Sequence, residues 1–275
     1  NKREEIICRK ESIGYKRNLG VKYCKTNFVC FIDSDAYPAS SWLDEVEQTF
    51  NKYKMAGAVG GPNLSPNENN IEKILVARCR KFGFVTLDKS VKSRKRETSS
   101  IHFLPSCNLI VKTKIYKKIG GMYEGLYSGE EISLNKNLRK NNYIIIFNPD
   151  IYVYHKERNF KHFFRQRFIY GSTGLKLFFL YPCKETFLIL ISSAPTIFLL
   201  IFPFIALSPF LLPFYLAGTG LLLFFGLINS FRINFSNNYI KSFKLSLITI
   251  FAPGLGLLLS IFLGQHSMKK LYTQK

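Results

Sequence analysis

Short apolar runs separated by polar turns fill the first 157 residues. Their spacing predicts alternating helices and strands. Residues 1 to about 25 read as a basic helix ending in "GYKRNLGVKY". "NFVCFIDSD" reads as a strand over 27–33 that runs into two aspartates, Asp33 and Asp35. In "SSWLDEVEQTFNKY", Trp42, Val46 and Phe50 share one helical face, and Ser41 with Asp44 three residues on predicts an N-terminal cap. "MAGAVGG" reads as a buried strand ended by Gly60, Gly61 and Pro62, and "SPNENN" as a loop. "HFLPSCNLIVKTKIYKKIGGMYEG" predicts a strand, a short helix and a glycine turn. "EEISLNKNLRKNN" predicts a helix with Ile132, Leu134 and Leu138 inward, and "YIIIFNPDIYVYH" two strands split at Asn148-Pro149. Strands alternating with helices imply a mostly parallel α/β sheet.

The pattern then changes. "RNFKHFFRQRFIYGSTGLKLFFLYP" mixes basic and aromatic residues and predicts an amphipathic helix at a membrane interface, 158–184. No charged side chain occurs from Thr186 to Phe231, or again from Leu245 to Met268. A membrane helix needs about 20 apolar residues, so the first run fits two spans joined by a tight turn and the second fits one more. Pro253, Gly254 and Gly256 make a re-entrant third segment an expectation. The expected organisation is a catalytic α/β domain over 1–157, the interfacial helix, and an all-α membrane domain of two to three spans over 185–275.

Charge sharpens this picture. The formal net charge is +21. Lys and Arg crowd the segment before the first apolar run, as expected of a surface facing anionic lipid. No nucleic-acid motif is present, so membrane lipid rather than nucleic acid is the expected partner. "DKSVKSRKRETSS", 88–100, reads as a solvated basic loop or a flap over phosphate. The six cysteines form no CxxC pair, and the four histidines form no zinc pattern. Scattered thiols suit a reducing compartment.

Two carboxylates at a strand's carboxyl end point to ligand chemistry, because open α/β sheets bind ligands there. With one residue between them, Asp33 and Asp35 can approach one hard cation, Mg²⁺ or Mn²⁺, which in turn holds phosphates. Glu130 and Glu131 follow a glycine and open a helix. They serve either as dipole-favoured capping charges or as a general base facing the metal site.

These motifs, in this order, resemble the family 2 glycosyltransferases, which have a GT-A (Rossmann-like) fold and C-terminal membrane helices. "GYKRNLGVKYCKTNFVCFIDSDAYP" resembles the helix–strand–DxD segment, "GGMYEGLYSGEEISLNKNLRK" the glycine turn and ED motif, and "FNPDIYVYH" with "RQRFIYG" the closing strand and a QxxRW-like element. The resemblance implies inverting, metal-assisted transfer of a sugar from a nucleotide sugar, usually a UDP-sugar, to a lipid-linked or cell-surface glycan. It implies that Asp33 and Asp35 hold the donor diphosphate through Mg²⁺ or Mn²⁺, with His155 completing the metal site or serving as a buried structural residue. Arg17 and Asn18 match positions near the nucleotide. Glu131 stands at the catalytic base and Glu130 would orient the acceptor. Gln166 and Tyr170 match the QxxRW-like element near acceptor and diphosphate.

Three departures stand out. Glu131 occupies a position that is usually Asp, Ile169 stands at the Arg of QxxRW, and the first strand–helix–strand unit with its P-x-Y-N segment is missing, so the chain reads as a fragment. The Ile169 departure argues for single transfer over a processive synthase. Two alternatives stay open: a non-catalytic membrane subunit with this fold, and a polyprenyl-phosphate sugar transferase. The positive-inside rule predicts a plasma-membrane protein with a cytoplasmic catalytic domain, with Arg232, Lys241 and Lys244 inside.

Overall fold

The structure, a computed structural model, describes residues 11–82, 97–205 and 208–273, with side chains described as far as Leu263. The first ten residues of the expected N-terminal helix and most of the 88–100 segment lie outside the described residues. The chain divides into two compact units, Asn1–Pro66 with Ser90–Lys156, and Asn67–Lys89 with Glu157–Lys275.

The first unit is mixed α/β. It contains α1 (Ile13–Tyr23), β1 (Phe28–Ile32), β2 (Ala36–Pro38), α2 (Trp42–Lys52), β3 (Ala56–Gly60) and β4 (Asn63–Leu64). After α3 (Ile71–Phe82), which belongs to the second unit, follow β5 (Ser99–Ile101), β6 (Asn108–Lys112), α4 (Thr113–Lys118), α5 (Glu130–Lys140), β7 (Ile144–Phe147) and β8 (Val153–His155). One sheet has the order β1-β6-β3-β7-β5, and a smaller one has the order β2-β8-β4.

The expectation of a mostly parallel sheet is corrected. In the larger sheet β3 pairs parallel with β7, but β6 lies antiparallel to both β1 and β3, and β5 antiparallel to β7. Alternating elements imply parallel strands only when each helix forms a crossover on the same sheet. Here α3, which follows β3 and β4, belongs to another unit, and β6 returns in the opposite direction.

Period-two alternation sends Leu109 and Val111 of β6 to one face of the sheet and Ile110 to the other. The first face packs on Leu134 and Leu138 of α5, the second on Trp42, Val46 and Phe50 of α2. The expected cap of α2 is absent: Ser41 precedes the helix, but its side chain makes no capping bond. Its φ of −81° and ψ of 0° depart from the extended backbone that a capping hydroxyl needs.

A buried polar thread ties these layers together. Trp42 Nε1 donates to Asn108 Oδ1 at 3.0 Å, and Asn108 Nδ2 donates to the Ile151 carbonyl at 2.8 Å. Gly61 lies where β3 leads into β4. A Cβ there would lie 2.2 Å from the carbonyl oxygens of Asn148 and Ile151. Only hydrogen fits, and that close approach lets β4 run beside β8.

The second unit is helical: α3, α6 (Phe160–Leu180), α7 (Lys184–Ile191), α8 (Ala194–Ile205), α9 (Leu212–Ile233) and α10 (Tyr239–Thr273). Leu75, Val76 and Cys79 of α3 pack with Phe160, Phe163, Ile233 and Leu245. Arg78 Nε donates to the Ile233 carbonyl at the end of α9, and Glu72 accepts the Phe160 N–H at the start of α6. Among the described residues, two helices are long and apolar enough to cross a membrane, Leu212–Ile233 and Tyr239–Leu263. Phe214, Leu216, Leu221, Phe224 and Phe231 of α9 are exposed, as expected of a lipid-facing helix.

Two details of the membrane reading change. The first apolar run is α7, α8 and α9 rather than two spans, and 12-residue α8 reaches about 18 Å, short of a bilayer core. The third segment is one continuous helix through Pro253, not a re-entrant turn. Near the proline, Thr196 Oγ1 of α8 approaches the α10 carbonyls of Ile250 and Phe251 at 3.2 and 3.1 Å, a polar contact between the two helices.

Replacing Gly61 by Ala forces the β3–β4 connection off the 148–151 turn and is expected to remove about 1–3 kcal/mol from the first unit. Trp42 is the chain's one tryptophan and lies in that unit, so its fluorescence during urea unfolding reads the loss directly.

Candidate active site

Asp33 directly follows the last residue of β1. A tight turn follows, closed by the Ala36 N–H on the Asp33 carbonyl at 3.0 Å, and it brings Asp35 beside it. β2 then pairs antiparallel with β8 in a register that sets Ala36 opposite His155, and the Lys156 N–H continues the ladder onto the Asp35 carbonyl. A histidine 120 residues away thereby reaches the aspartates. His155 Nε2 lies 3.1 Å from Asp35 Oδ1 and 3.5 Å from Asp33 Oδ2.

One ligand atom from each of the three residues lies within 4.8 Å of the others. His155 is buried, and its Nδ1 has no hydrogen-bond partner. Both aspartates are partly exposed. Two carboxylate oxygens and one imidazole nitrogen converging at the edge of solvent are a donor set that fits a divalent cation.

Arg17 of α1 joins this cluster to the glutamates. Its Nη2 lies 3.7 Å from Asp33 Oδ1, its Nη1 is ion-paired with Glu130 Oε1, and its guanidinium lies over the Phe31 ring. Glu130 and Glu131 open α5 after Gly129, whose φ of 79° is the left-handed turn that glycine favours. Glu130 is buried. Burial raises its carboxyl above the usual range, while Arg17 pulls it down. Glu131 keeps part of its surface open, yet the protein crowded around its carboxyl pushes it up to about 8, with the Glu130 charge adding to the rise.

Asn18 does something the sequence did not suggest. Its Oδ1 accepts from Tyr116 Oη at 2.6 Å and from the Met122 N–H at 3.0 Å. Its Nδ2 donates to the Met122 carbonyl at 2.7 Å and to Glu124 Oε1 at 2.8 Å. An amide has two donors and two lone pairs, so all four are spent on holding the glycine turn against α1. Neither Tyr116 nor Met122 carries a local signal for this role. Gln166 and Tyr170 lie on α6 in the second unit, where Gln166 Nε2 donates to Tyr170 Oη at 3.2 Å.

Residues 7–120 match the family model described as Glycosyl transferase family 2. The chain is similar to the Pre-mycofactocin glycosyltransferases of two Mycobacterium tuberculosis strains, CDC 1551 / Oshkosh and ATCC 25618 / H37Rv. Identity is 23% over 184 residues, covering 65% of this chain and 37% of each relative. It therefore spans little more than a third of the length of those curated relatives. Similar solved structures include S. aureus TarS 1-349 in complex with UDP-GlcNAc, at 14% identity, 93% of this chain, 73% of that chain and TM-score 0.42. They also include GalNAc-T7 with UDP, GalNAc and Mn2+, at 14% identity, 59% of this chain, 37% of that chain and TM-score 0.40.

The raised Glu131 carboxyl has a consequence for stability. A carboxyl whose folded pKa lies above its unfolded value of 4.5 favours the fold while protonated, and that contribution is lost as pH rises toward about 8. Urea midpoints of the first unit are expected to fall from pH 5 to pH 8, and Glu131→Gln is expected to flatten the fall. A variant as steep as the parent would place the titrating group elsewhere.

Proposed function

We propose that this chain, whose residues 7–120 match the glycosyl transferase family 2 model, transfers a sugar with inversion from a nucleotide sugar to an acceptor at a membrane surface. The donor class is a UDP-sugar, and the acceptor a lipid-linked or cell-surface glycan. The observation that carries this reading is one cluster: Asp33, Asp35 and His155 within ligand distance of each other, tied through Arg17 to the Glu130–Glu131 pair.

Asp33, Asp35 and His155 would hold Mg²⁺ or Mn²⁺. Such an ion, when bound, neutralises the charge of a departing diphosphate. The protein's own residues do the rest. Glu131 takes the proton of the attacking acceptor hydroxyl. Arg17 pairs with Glu130 beside it, and Glu130 accepts a hydrogen bond from the acceptor and orients it. Asn18, its amide already spent, holds the turn that leads into the glutamates rather than the nucleotide. The two apolar helices support anchoring in the plasma membrane. Arg232 at the end of α9 and Lys241 and Lys244 at the start of α10 favour a cytoplasmic face for that connection and for the catalytic domain.

The surroundings of Glu131 favour a second reading. Burial and the Glu130 charge raise its carboxyl and so disfavour the proton-accepting form, and a polyprenyl-phosphate acceptor, already anionic, needs no base.

The first test is nucleoside-diphosphate release by the detergent-solubilised chain with UDP-, GDP- and dTDP-sugars, with Mn²⁺, with Mg²⁺ and with chelator. Release is expected from one donor, dependent on metal, and Asp35→Asn is expected to lower it at least about 100-fold. Unchanged release in that variant would sink the metal assignment. On a hydroxyl acceptor, Glu131→Gln is expected to lower kcat about 10²–10⁴-fold. Full activity of Glu131→Gln on that hydroxyl acceptor would remove Glu131 as the base.

A further inference from the structure

The helical unit holds a cation in a seam between helices without a carboxylate to match it. Arg167 of α6 lies one helical turn after Phe163 and one before Gly171, so the three share a face. Both neighbours are buried. Phe163 packs with Leu75, Val76 and Cys79 of α3, and Gly171 lies against the Pro253 carbonyl of α10. That face of α6 is therefore the seam against α3 and α10. Arg167 is half-buried, and its Nε is closed to solvent with no hydrogen-bond partner among the described residues.

A second guanidinium stands close by. Arg80 of α3 directly follows Cys79, and its Nη1 lies 3.1 Å from Glu157 Oε2, whose side chain is almost wholly buried. Glu157 is thus committed to that pair. The other acids described in this unit are Glu68, paired with Lys73, Glu72, which accepts the Phe160 N–H, and Glu185, in the first turn of α7. Burial works against the Arg167 charge. Cys79 and Tyr170 give it some support, and the Arg80 charge opposes it.

Two guanidiniums against one carboxylate leave an excess of positive charge where water is partly excluded, and such charge is costly until it is paired. A long side chain can carry its charge out to water. That would explain the partial exposure of Arg167, but it leaves the Nε unsatisfied and the like charges together. An anion with several oxygens answers both. Phosphate offers two oxygens to one planar fork and keeps others for a second guanidinium, and a monoester carries a charge of about −1.5 to −2. Ile169 lies about 200° round the helix from Arg167, so Arg167 does not stand in for an arginine at that position.

We propose that Arg167 and Arg80 hold a phosphate group between α3 and α6, carried by a lipid head group or free in solution. The site is argued from the helical unit alone and does not rest on the transferase reading.

Isothermal titration of the detergent-solubilised full chain tests it, with inorganic phosphate, dioctanoyl phosphatidic acid and phosphate-free dioctanoylglycerol as probes. Saturable binding of at least one of the two phosphate probes is expected. Arg167→Gln is expected to weaken it at least about tenfold, and Arg167→Lys, which keeps the charge but loses the fork, by less. Lys81→Gln removes an exposed charge from the same stretch of α3 and is expected to change nothing. Thermal midpoints by circular dichroism give a second readout: the bound probe is expected to raise the parent's midpoint and to leave that of Arg167→Gln unmoved. Arg167→Lys serves where the glutamine variant unfolds. Tighter binding of phosphatidic acid than of inorganic phosphate would assign the group to a lipid, and the reverse to free phosphate; either supports the site. No saturable binding of either phosphate probe by the folded parent, or equal loss in Lys81→Gln and Arg167→Gln, overturns the proposal. So does dioctanoylglycerol binding as tightly as phosphatidic acid while inorganic phosphate does not bind, which would make the seam an acyl-chain contact. Phosphate binding without any nucleotide release leaves this site standing and counts only against the transferase reading.

Discussion

The guanidinium of Arg17 lies between two carboxylates that the fold could not otherwise bring close. Asp33 ends β1 and Glu130 opens α5, and the two come from segments about a hundred residues apart. Glu131 adds a third carboxyl to the same region. Carboxylates gathered where water is partly excluded repel strongly, and each carries a desolvation penalty. A cation that cannot lose its proton, seated over the Phe31 ring, offsets both. One residue on, Asn18 does the uncharged half of the same task by bonding the 116–124 turn. α1 thus holds the sheet's ligand end and the start of α5 in one frame through two neighbouring side chains.

The second constraint is the register of β2 on β8. Only three residue pairs make that ladder, and its position depends on Gly61 letting β4 run beside β8. A slip by one residue would reverse every side chain on both strands. His155 would leave the aspartates, and the stacked rings of Tyr37 and Tyr154 would part. The proposed cation site therefore depends on one short pairing. The buried link from Trp42 through Asn108 to the Ile151 carbonyl anchors the residues just ahead of it.

Within the second unit, the same polar economy recurs in an apolar setting. Asn229 bonds Ser246, and Thr196 bonds carbonyls near Pro253. Small residues permit close helix contact, as at Gly171, where a Cβ would lie 1.8 Å from the Pro253 carbonyl oxygen. These interactions hold α6, α8 and α9 against α10.

Local chemistry decided much of this protein before any folding. Apolar runs such as 28–32 and 144–147 became strands, and the spacing of Trp42, Val46 and Phe50 became a buried helical face. The uncharged stretches became long apolar helices, and the DxD pair took its place at a strand end, because hydrophobic period and charge act over a few residues. Pairing direction was not legible, since parallel and antiparallel strands share the same alternation and only the path of the chain through α3 reversed β6. The α2 cap failed for a similar reason: the identity of Ser41 was right, but its backbone angles were set by the turn from β2. The partners of Arg17 and Asn18, the approach of His155 to Asp35, and the stacking of Tyr37 on Tyr154 are contacts between distant segments. They depend on register and close backbone approach, and those are settled only when the layers pack.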